Sequence, residues 1–195
     1  MGARQGSVSR KTLETEVAVE LNLDGSGTSE ISSGLGFFDH MLTALARHAR
    51  FDLKLRCQGD LEVDDHHTVE DCALALGQAL DRALGERRGI ARFGVAFAPL
   101  DEALARAVVD LSGRPCAVVD LALERAALGQ LSCENVPHFF VSLATTARMA
   151  LHLDVLRGSN DHHRAEAAFK ATALARRQAV RIEGPDQVPS TKGVL

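Results

Sequence analysis

The chain has no tryptophan and no tyrosine, and its 8 phenylalanines are its whole aromatic complement. Stacking platforms for nucleic-acid bases are therefore poorly supplied. A net charge of −4 adds a second argument against general nucleic-acid binding. No apolar run approaches membrane-spanning length. The 4 cysteines, Cys57, Cys72, Cys116 and Cys133, have neither zinc-ligand nor disulfide-framework spacing. In a chain of 195 residues they read as reduced thiols of a cytoplasmic protein. The start, Met1 to Arg10, is polar and basic, with no apolar stretch for a secretory signal and little length for a transit peptide. Met1-Gly2 would suit myristoylation, but Gly6 stands where Ser or Thr is required. What is present is a soluble globular balance, 46% hydrophobic and 25% charged, enough for one domain or two tightly fused halves.

Against this background one tripeptide occurs twice. Asp65-His66-His67 is followed by Glu70, and Asp161-His162-His163 by Glu166, at the same distance. Each copy opens an amphipathic segment, so each reads as the first turn of a helix. His66 or His67 can then share a face with Glu70. Adjacent histidines diverge by roughly 100° on a helix, so one metal does not easily take both. Each His-His step is expected to serve two different metals. Imidazole with carboxylate suits Mn, Fe, Co, Ni or Zn better than Mg or Ca.

The flanks repeat too. Phe37-Phe38-Asp39-His40 precedes the first motif, and Pro137-His138-Phe139-Phe140 the second. That adds one equivalent histidine per half. Six histidines and two glutamates, His40, His66, His67, Glu70, His138, His162, His163 and Glu166, divide into two sets of four. Four ligands leave open positions for substrate on an octahedral ion. His48 lies two helical turns after His40, placed either to reach the same cleft or to sit on the surface. His152 alternates with Leu151 and Leu153 and is expected to face solvent or a neighbour.

Periodicity gives the order of elements. Strands are predicted over Thr15–Leu23 and near Thr28–Ser33, a helix over Phe38–Arg47, a strand over Phe51–Cys57, and a helix over His66–Leu84 stopped by Gly85. Arg92–Pro99 reads as an additional strand joining the halves. The second half repeats the order: strands Ala103–Leu111 and Cys116–Leu123 around the turn Ser112–Pro115, a helix over Pro137–Met149, a strand Leu151–Val155, and a helix over Ala165–Val180 closed by Gly184-Pro185. The class is α+β with duplicated β-β-α-β-α halves, residues 1–98 and 99–195, forming one compact domain.

Several blocks together resemble one family. These are Gly34-Leu35-Gly36-Phe37-Phe38-Asp39-His40-Met41, Asp64 to Asp71, Pro99-Leu100-Asp101-Glu102-Ala103-Leu104, Asp110 to Pro115, Asn160 to Glu166, and Ser190-Thr191-Lys192-Gly193. In this order, from Thr12 to Leu195, the chain resembles the imidazoleglycerol-phosphate dehydratases, in their monofunctional fungal form. Only the Arg10-Lys11 start departs slightly. The resemblance implies helices packed between two β-sheets. It implies homo-oligomers, trimers that assemble with Mn into a 24-subunit shell, with active sites between subunits. It implies one Mn on His40, His67, Glu70 and His162, and a second on His66, His138, His163 and Glu166. Glu14 would abstract a proton, and with His48, Arg92, Arg114, Lys170, Ser190 and Lys192 would bind the small-molecule phosphate substrate.

The implied reaction is the dehydration of imidazole-glycerol phosphate to imidazole-acetol phosphate. No carbonyl acidifies the carbon that loses its proton, so the imidazole ring must act as electron sink. A metal on each ring nitrogen would stabilise it as an imidazolate. Two other classes share some features. DHH-type Mn phosphoesterases use an Asp-His-His motif but need further aspartate motifs and do not double the tripeptide. A metal-organised assembly protein of the ferritin-like kind would be all helical and would reverse the order of Glu and His.

Overall fold

The structure is a computed structural model that describes residues 4–184, 186–193 and 195. The Met1-Gly2 start and Pro185 of the expected helix stop lie outside the described residues. The elements run β1 (Gln5–Lys11), β2 (Thr15–Asn22), β3 (Ser29–Ser32), α1 (Gly36–Ala49), β4 (Asp52–Gly59) and α2 (His66–Leu84). They continue with β5 (Phe93–Leu100), β6 (Ala103–Asp110), β7 (Cys116–Asp120), the two-residue strands β8 (Ala127–Leu128) and β9 (Leu131–Ser132), α3 (Asn135–Thr146), β10 (Ala150–Arg157) and α4 (Asp161–Ala179).

The two main sheets are built alike. Their strand orders are β1-β2-β4-β3 and β5-β6-β10-β7, each with one parallel pair at the end. The β-β-α-β-α halves are present, and each is preceded by one more strand. The segment expected to join the halves is in fact β5, the opening strand of the second sheet and the counterpart of β1. β1 itself was not visible in the sequence. Its inward positions are only Gly6 and Val8, so the apolar alternation that marks β2 is missing.

Gly6 shows why a strand with so little hydrophobicity still belongs there. A β-carbon on Gly6 would collide with the Ala79 carbonyl of α2, and one on Gly94 of β5 with the Ala175 carbonyl of α4. Gly6 pairs with Leu21 and Gly94 with Val109, the same register in each sheet. Glycine thus lets each long helix lie directly on its sheet. The helices form the layer between the sheets, where α1 packs on α4 and α2 on α3. Their shared core contains Phe38, Phe139, Phe140 and Phe169, all 0% exposed, with Phe38 meeting Phe139 edge-on. No helix among the described residues is long and apolar enough to cross a membrane.

Among the buried polar residues, one charged helix side chain has no acceptor among the described residues. Arg176 of α4 is 1% exposed, and its Nε and one terminal nitrogen have no hydrogen-bond partner among the described residues. Burial pushes its pKa down to about 10. The motif spacing that equates His66 with His162 equates Arg176 with Leu80, which is fully buried and apolar. An unpaired buried charge is destabilising. Arg176→Leu is therefore expected to raise stability by about 1 kcal/mol or more, a rise of about 2–4 °C per kcal/mol in the melting temperature of a chain this size. Circular-dichroism melts of both proteins check this; a lower melting temperature would show that the guanidinium is satisfied.

Candidate active site

The site begins with how the helix starts are held. The Asp64 carboxylate accepts the His66 N–H at 2.8 Å, and the Asn160 side-chain oxygen accepts the His162 N–H at 2.9 Å. These caps satisfy first-turn donors that a helix leaves open. They also extend α4 back to Asp161, four residues before its expected start, so both motifs occupy first turns. The aspartates of the tripeptides serve as anchors. Asp65 accepts the Ser132 N–H at 2.7 Å and its hydroxyl at 2.8 Å. Asp161 accepts the N–H groups of Glu124 at 2.9 Å and Arg125 at 2.6 Å, and pairs with Arg164 at 2.9 Å. Burial works to raise both carboxyls, but these donors outweigh it and hold them below the usual carboxylate range.

With the helices fixed, the ligand candidates gather in two groups. His40, His162 and Glu166 form one, and His66, Glu70 and His138 the other, each offering atoms within 4.8 Å of one another. His40 Nε2 is 3.3 Å and His162 Nε2 3.1 Å from Glu166 Oε2, while His138 Nε2 is 3.2 Å from Glu70 Oε1. Each group draws on one long helix and one short helix of the other half, α4 with α1 and α2 with α3. Two imidazoles and a carboxylate suit a divalent transition ion.

His67 and His163 turn away from these groups, as adjacent positions on a helix must. The His67 Nδ1–H donates to Asp60 at 3.0 Å, and its Nε2 faces Glu14 at 3.7 Å. The His163 Nδ1–H donates to Glu102 at 2.7 Å, and its Nε2 faces Asp101 at 3.7 Å. The Asp60 and Glu102 hydrogen bonds raise the pKa of His67 and His163 respectively. His163 in turn holds the Glu102 carboxyl far below its usual range.

Glu14 is exposed in the β1–β2 turn. Lys170 lies one turn after Glu166 on α4, 2.6 Å from its carboxylate. His48 is half-buried in the last turn of α1, and burial together with the nearby Lys170 charge lowers its pKa. Arg92 forks onto Asp110 at 2.7 and 3.1 Å and donates to the Pro189 carbonyl at 2.8 Å. That last bond ties the tail carrying Ser190 and Lys192 to Arg92. Arg114 is exposed in the β6–β7 turn beside Gly113, against which Leu195 packs. His152 is exposed on β10, as its alternation required. Sequence reasoning gave no role to Asp60, Asn135 or Phe37. His66 Nδ1 donates to the Asn135 oxygen at 3.0 Å, and Phe37 meets the His162 ring edge-on at 5.1 Å. Only the position of Asn135 just ahead of Pro137-His138 could have drawn notice.

Repeat-related His/His/Glu groups on the helix starts of a duplicated α+β fold define a candidate transition-metal enzyme. The comparisons make this specific. The sequence profile of the family described as Imidazoleglycerol-phosphate dehydratase matches residues 33–175. The chain is 60% identical over 194 residues to an imidazoleglycerol-phosphate dehydratase of Phytophthora nicotianae, covering 100% of this chain and 43% of that protein. It is 56% identical to that of Candida glabrata, covering 96% and 98% of the two. The crystal structure of the Staphylococcus aureus enzyme superposes with a TM-score of 0.83 at 34% identity, over 92% of this chain and 99% of that one. The chain belongs to the imidazoleglycerol-phosphate dehydratase family, and its enzyme class is hydro-lyase.

The anchoring role assigned to Asp161 can be measured. Asp161→Ala leaves the Glu124 and Arg125 N–H groups without their acceptor and is expected to cost about 1.5–3 kcal/mol in denaturant unfolding. The folded pKa is depressed, so the contribution is present above the ordinary carboxylate value and is lost as pH falls through the lower folded value. The gap between wild type and variant should therefore close on acidification. A gap that stays constant down to strongly acid pH would remove the carboxylate from the account.

Proposed function

We propose that the protein converts imidazole-glycerol phosphate to imidazole-acetol phosphate and water, a step of histidine biosynthesis, using two divalent transition ions, Mn first among them, per active site. The observation that carries this reading is the pair of repeat-related His/His/Glu groups on the helix starts. Their donor chemistry fits such ions, and each imidazole in them offers nitrogen from a ring already held by helix packing. When bound, the cations would stabilise the substrate ring as an imidazolate, the electron-rich form that eases loss of the hydroxyl on the ring-attached carbon and so acidifies the next carbon.

The protein's own groups supply the rest. Glu14 sits in a turn beside His67 with its carboxylate exposed and is the base that takes the carbon-bound proton. Lys170, next to Glu166, offers a point charge at the same end of the helix layer, and His48 borders it. Arg92, Arg114, Ser190 and Lys192, linked by the tail, supply phosphate contacts. The whole is one domain of two repeats that divide just ahead of β5, because β5 pairs with β6. The free thiols at Cys57, Cys72, Cys116 and Cys133 suit a reducing, cytoplasmic setting.

The family's ligand sets support an assembled enzyme. One set takes His40 and His162 with His67 and Glu70, yet in this chain His40 and His162 gather with Glu166, and Glu70 with His66 and His138. Completing either set calls for a second chain. The outer sheet faces supply a surface for one. Across the first sheet, Ser7, Glu20, Lys54 and Glu30 stand in one row; the matching row of the second sheet is Val95, Val108, His152 and Val118. Phe93 and Phe97 flank it, 59% and 55% exposed. An apolar face of this kind on one sheet only is suited to a subunit contact, as in a trimer that builds the larger metal-dependent shell.

Two outcomes test this reading. Chelation should abolish turnover of imidazole-glycerol phosphate and Mn should restore it, while Glu14→Gln should lower kcat by about 10²-fold or more with bound Mn and particle size unchanged. Full activity without metal sinks the dimetal reading; near-normal kcat in Glu14→Gln removes that residue from the chemistry. Val108→Lys should leave secondary structure intact but shrink the particle seen by light scattering, with turnover falling alongside. A full-sized, active particle would show that this face is not a subunit contact.

A further inference from the structure

We propose that Asp60 and Glu102 are positioning residues for metal binding, each fixing one imidazole, that of His67 or His163, through Nδ1 so that Nε2 alone is presented to the cation. The inference rests on the dimetal reading but assigns residues that the reading does not use. A carboxylate only accepts, so the bonds at 3.0 Å from His67 and 2.7 Å from His163 place the ring proton on Nδ1. The nitrogen left bare is Nε2. It is also Nε2 that His40, His138 and His162 turn toward Glu166 and Glu70. Metal-binding histidines are commonly oriented in this way from their second nitrogen.

The origins of the two carboxylates make the case. His67 and His163 are repeat counterparts, but Asp60 follows β4 and Glu102 lies in the β5–β6 turn. Duplication alone would have copied one arrangement into both halves. The same contact is instead reached from unrelated positions. The residue that duplication does pair with Glu102 is Glu14, since each immediately precedes the second strand of its sheet, Thr15 or Ala103. Their surroundings differ sharply. Glu102 accepts from the Ser159 N–H at 3.0 Å, the Ser159 hydroxyl at 3.2 Å and the Asn160 N–H at 2.8 Å, besides His163. It is locked. Glu14, with Asp60 doing the positioning in its half, keeps only a 3.7 Å approach to His67 Nε2 and no side-chain hydrogen bond among the described residues, which leaves it, of the two glutamates, the one able to serve as base.

The test is Mn2+ affinity of the full chain, stripped of metal by chelation and titrated with Mn2+ while free Mn2+ is followed by electron paramagnetic resonance. Glu102→Gln can keep its oxygen on Ser159 and Asn160, which turns the amide NH2 toward His163 Nδ1 and drives the ring proton to Nε2. Asp60 has both oxygens near Nδ1, at 3.2 and 3.0 Å, so Asp60→Asn can still present an oxygen, whereas Asp60→Ala cannot. Glu102→Gln and Asp60→Ala are expected to weaken Mn2+ binding about 10–100-fold, and Asp60→Asn to stay near wild type. Imidazole 15N shifts of the metal-free protein should show the His163 proton moving from Nδ1 to Nε2 in Glu102→Gln, a change that mere loosening of the loop would not produce. His67→Ala and His163→Ala serve as references. If these leave Mn2+ binding intact, the dimetal reading itself fails. If they weaken it while Asp60→Ala and Glu102→Gln bind as wild type, the positioning role is overturned and the dimetal reading stands.

Discussion

Everything in this site follows from placing two histidines side by side in the first turn of a helix. Neighbouring side chains on a helix diverge, and the rings of His66 and His67 lie 81° apart in plane, those of His162 and His163 85°. No single ion can take both from a regular turn. One histidine of each pair looks toward the short helix packed alongside and meets its histidine. The other looks away, toward the turns at the sheet edge. A His-His step therefore splits a ligand set into an inner part that one chain can gather and an outer part that it presents outward. The outward part is what the proposed sharing of sites between chains would use.

Such a device works only if the helix starts do not move. Three independent restraints converge on each. Glycine at Gly6 and Gly94 lets α2 and α4 press against their sheets, and side-chain caps from Asp64 and Asn160 close the first turn. Asp65 and Asp161 stitch that turn to the end of β9 in one case and to the loop after β7 in the other. The tripeptide thus couples its anchor directly to its ligands. The aspartate looks inward to backbone donors while the histidines point away from them, which explains why Asp, though a competent ligand by type, belongs to neither candidate group.

Much of this was legible in the sequence because it is periodic. The buried alternation of β2 and the helical spacing from Val69 to Ala83 fix those elements, and the doubled motif gives the duplication and six ligand candidates, to which the repeated flanks add His40 and His138. What escaped has a common physical character. β1 is held by backbone pairing and by a glycine's lack of a side chain, neither of which leaves a hydrophobic signature. The β8–β9 hairpin is two residues a side, too short for any period. Asp60 meets His67 across the short loop between β4 and α2, and Glu102 meets His163 from a segment far away in sequence; neither spacing repeats, so both read as surface acids. The regrouping of His40 with Glu166 is likewise a property of how α1 meets α4.

The departures from repeat symmetry are where the two halves stop being interchangeable. His66 is held by a hydrogen bond to buried Asn135, its counterpart His162 by the edge of Phe37. A polar row on the first sheet answers to a row of three valines and His152 on the second. Glu14 makes only a 3.7 Å approach to His67 where Glu102 is held by several hydrogen bonds. A strictly symmetric duplicate would hold both metals identically, carry two equivalent bases and offer two equivalent faces for assembly. A substrate with an imidazole at one end and a phosphate at the other is not symmetric, and its proton leaves from one carbon only. The shared framework accounts for two similar groups of candidate ligands; the broken symmetry in hydrogen bonding around them gives each half of the site a different environment for such a substrate.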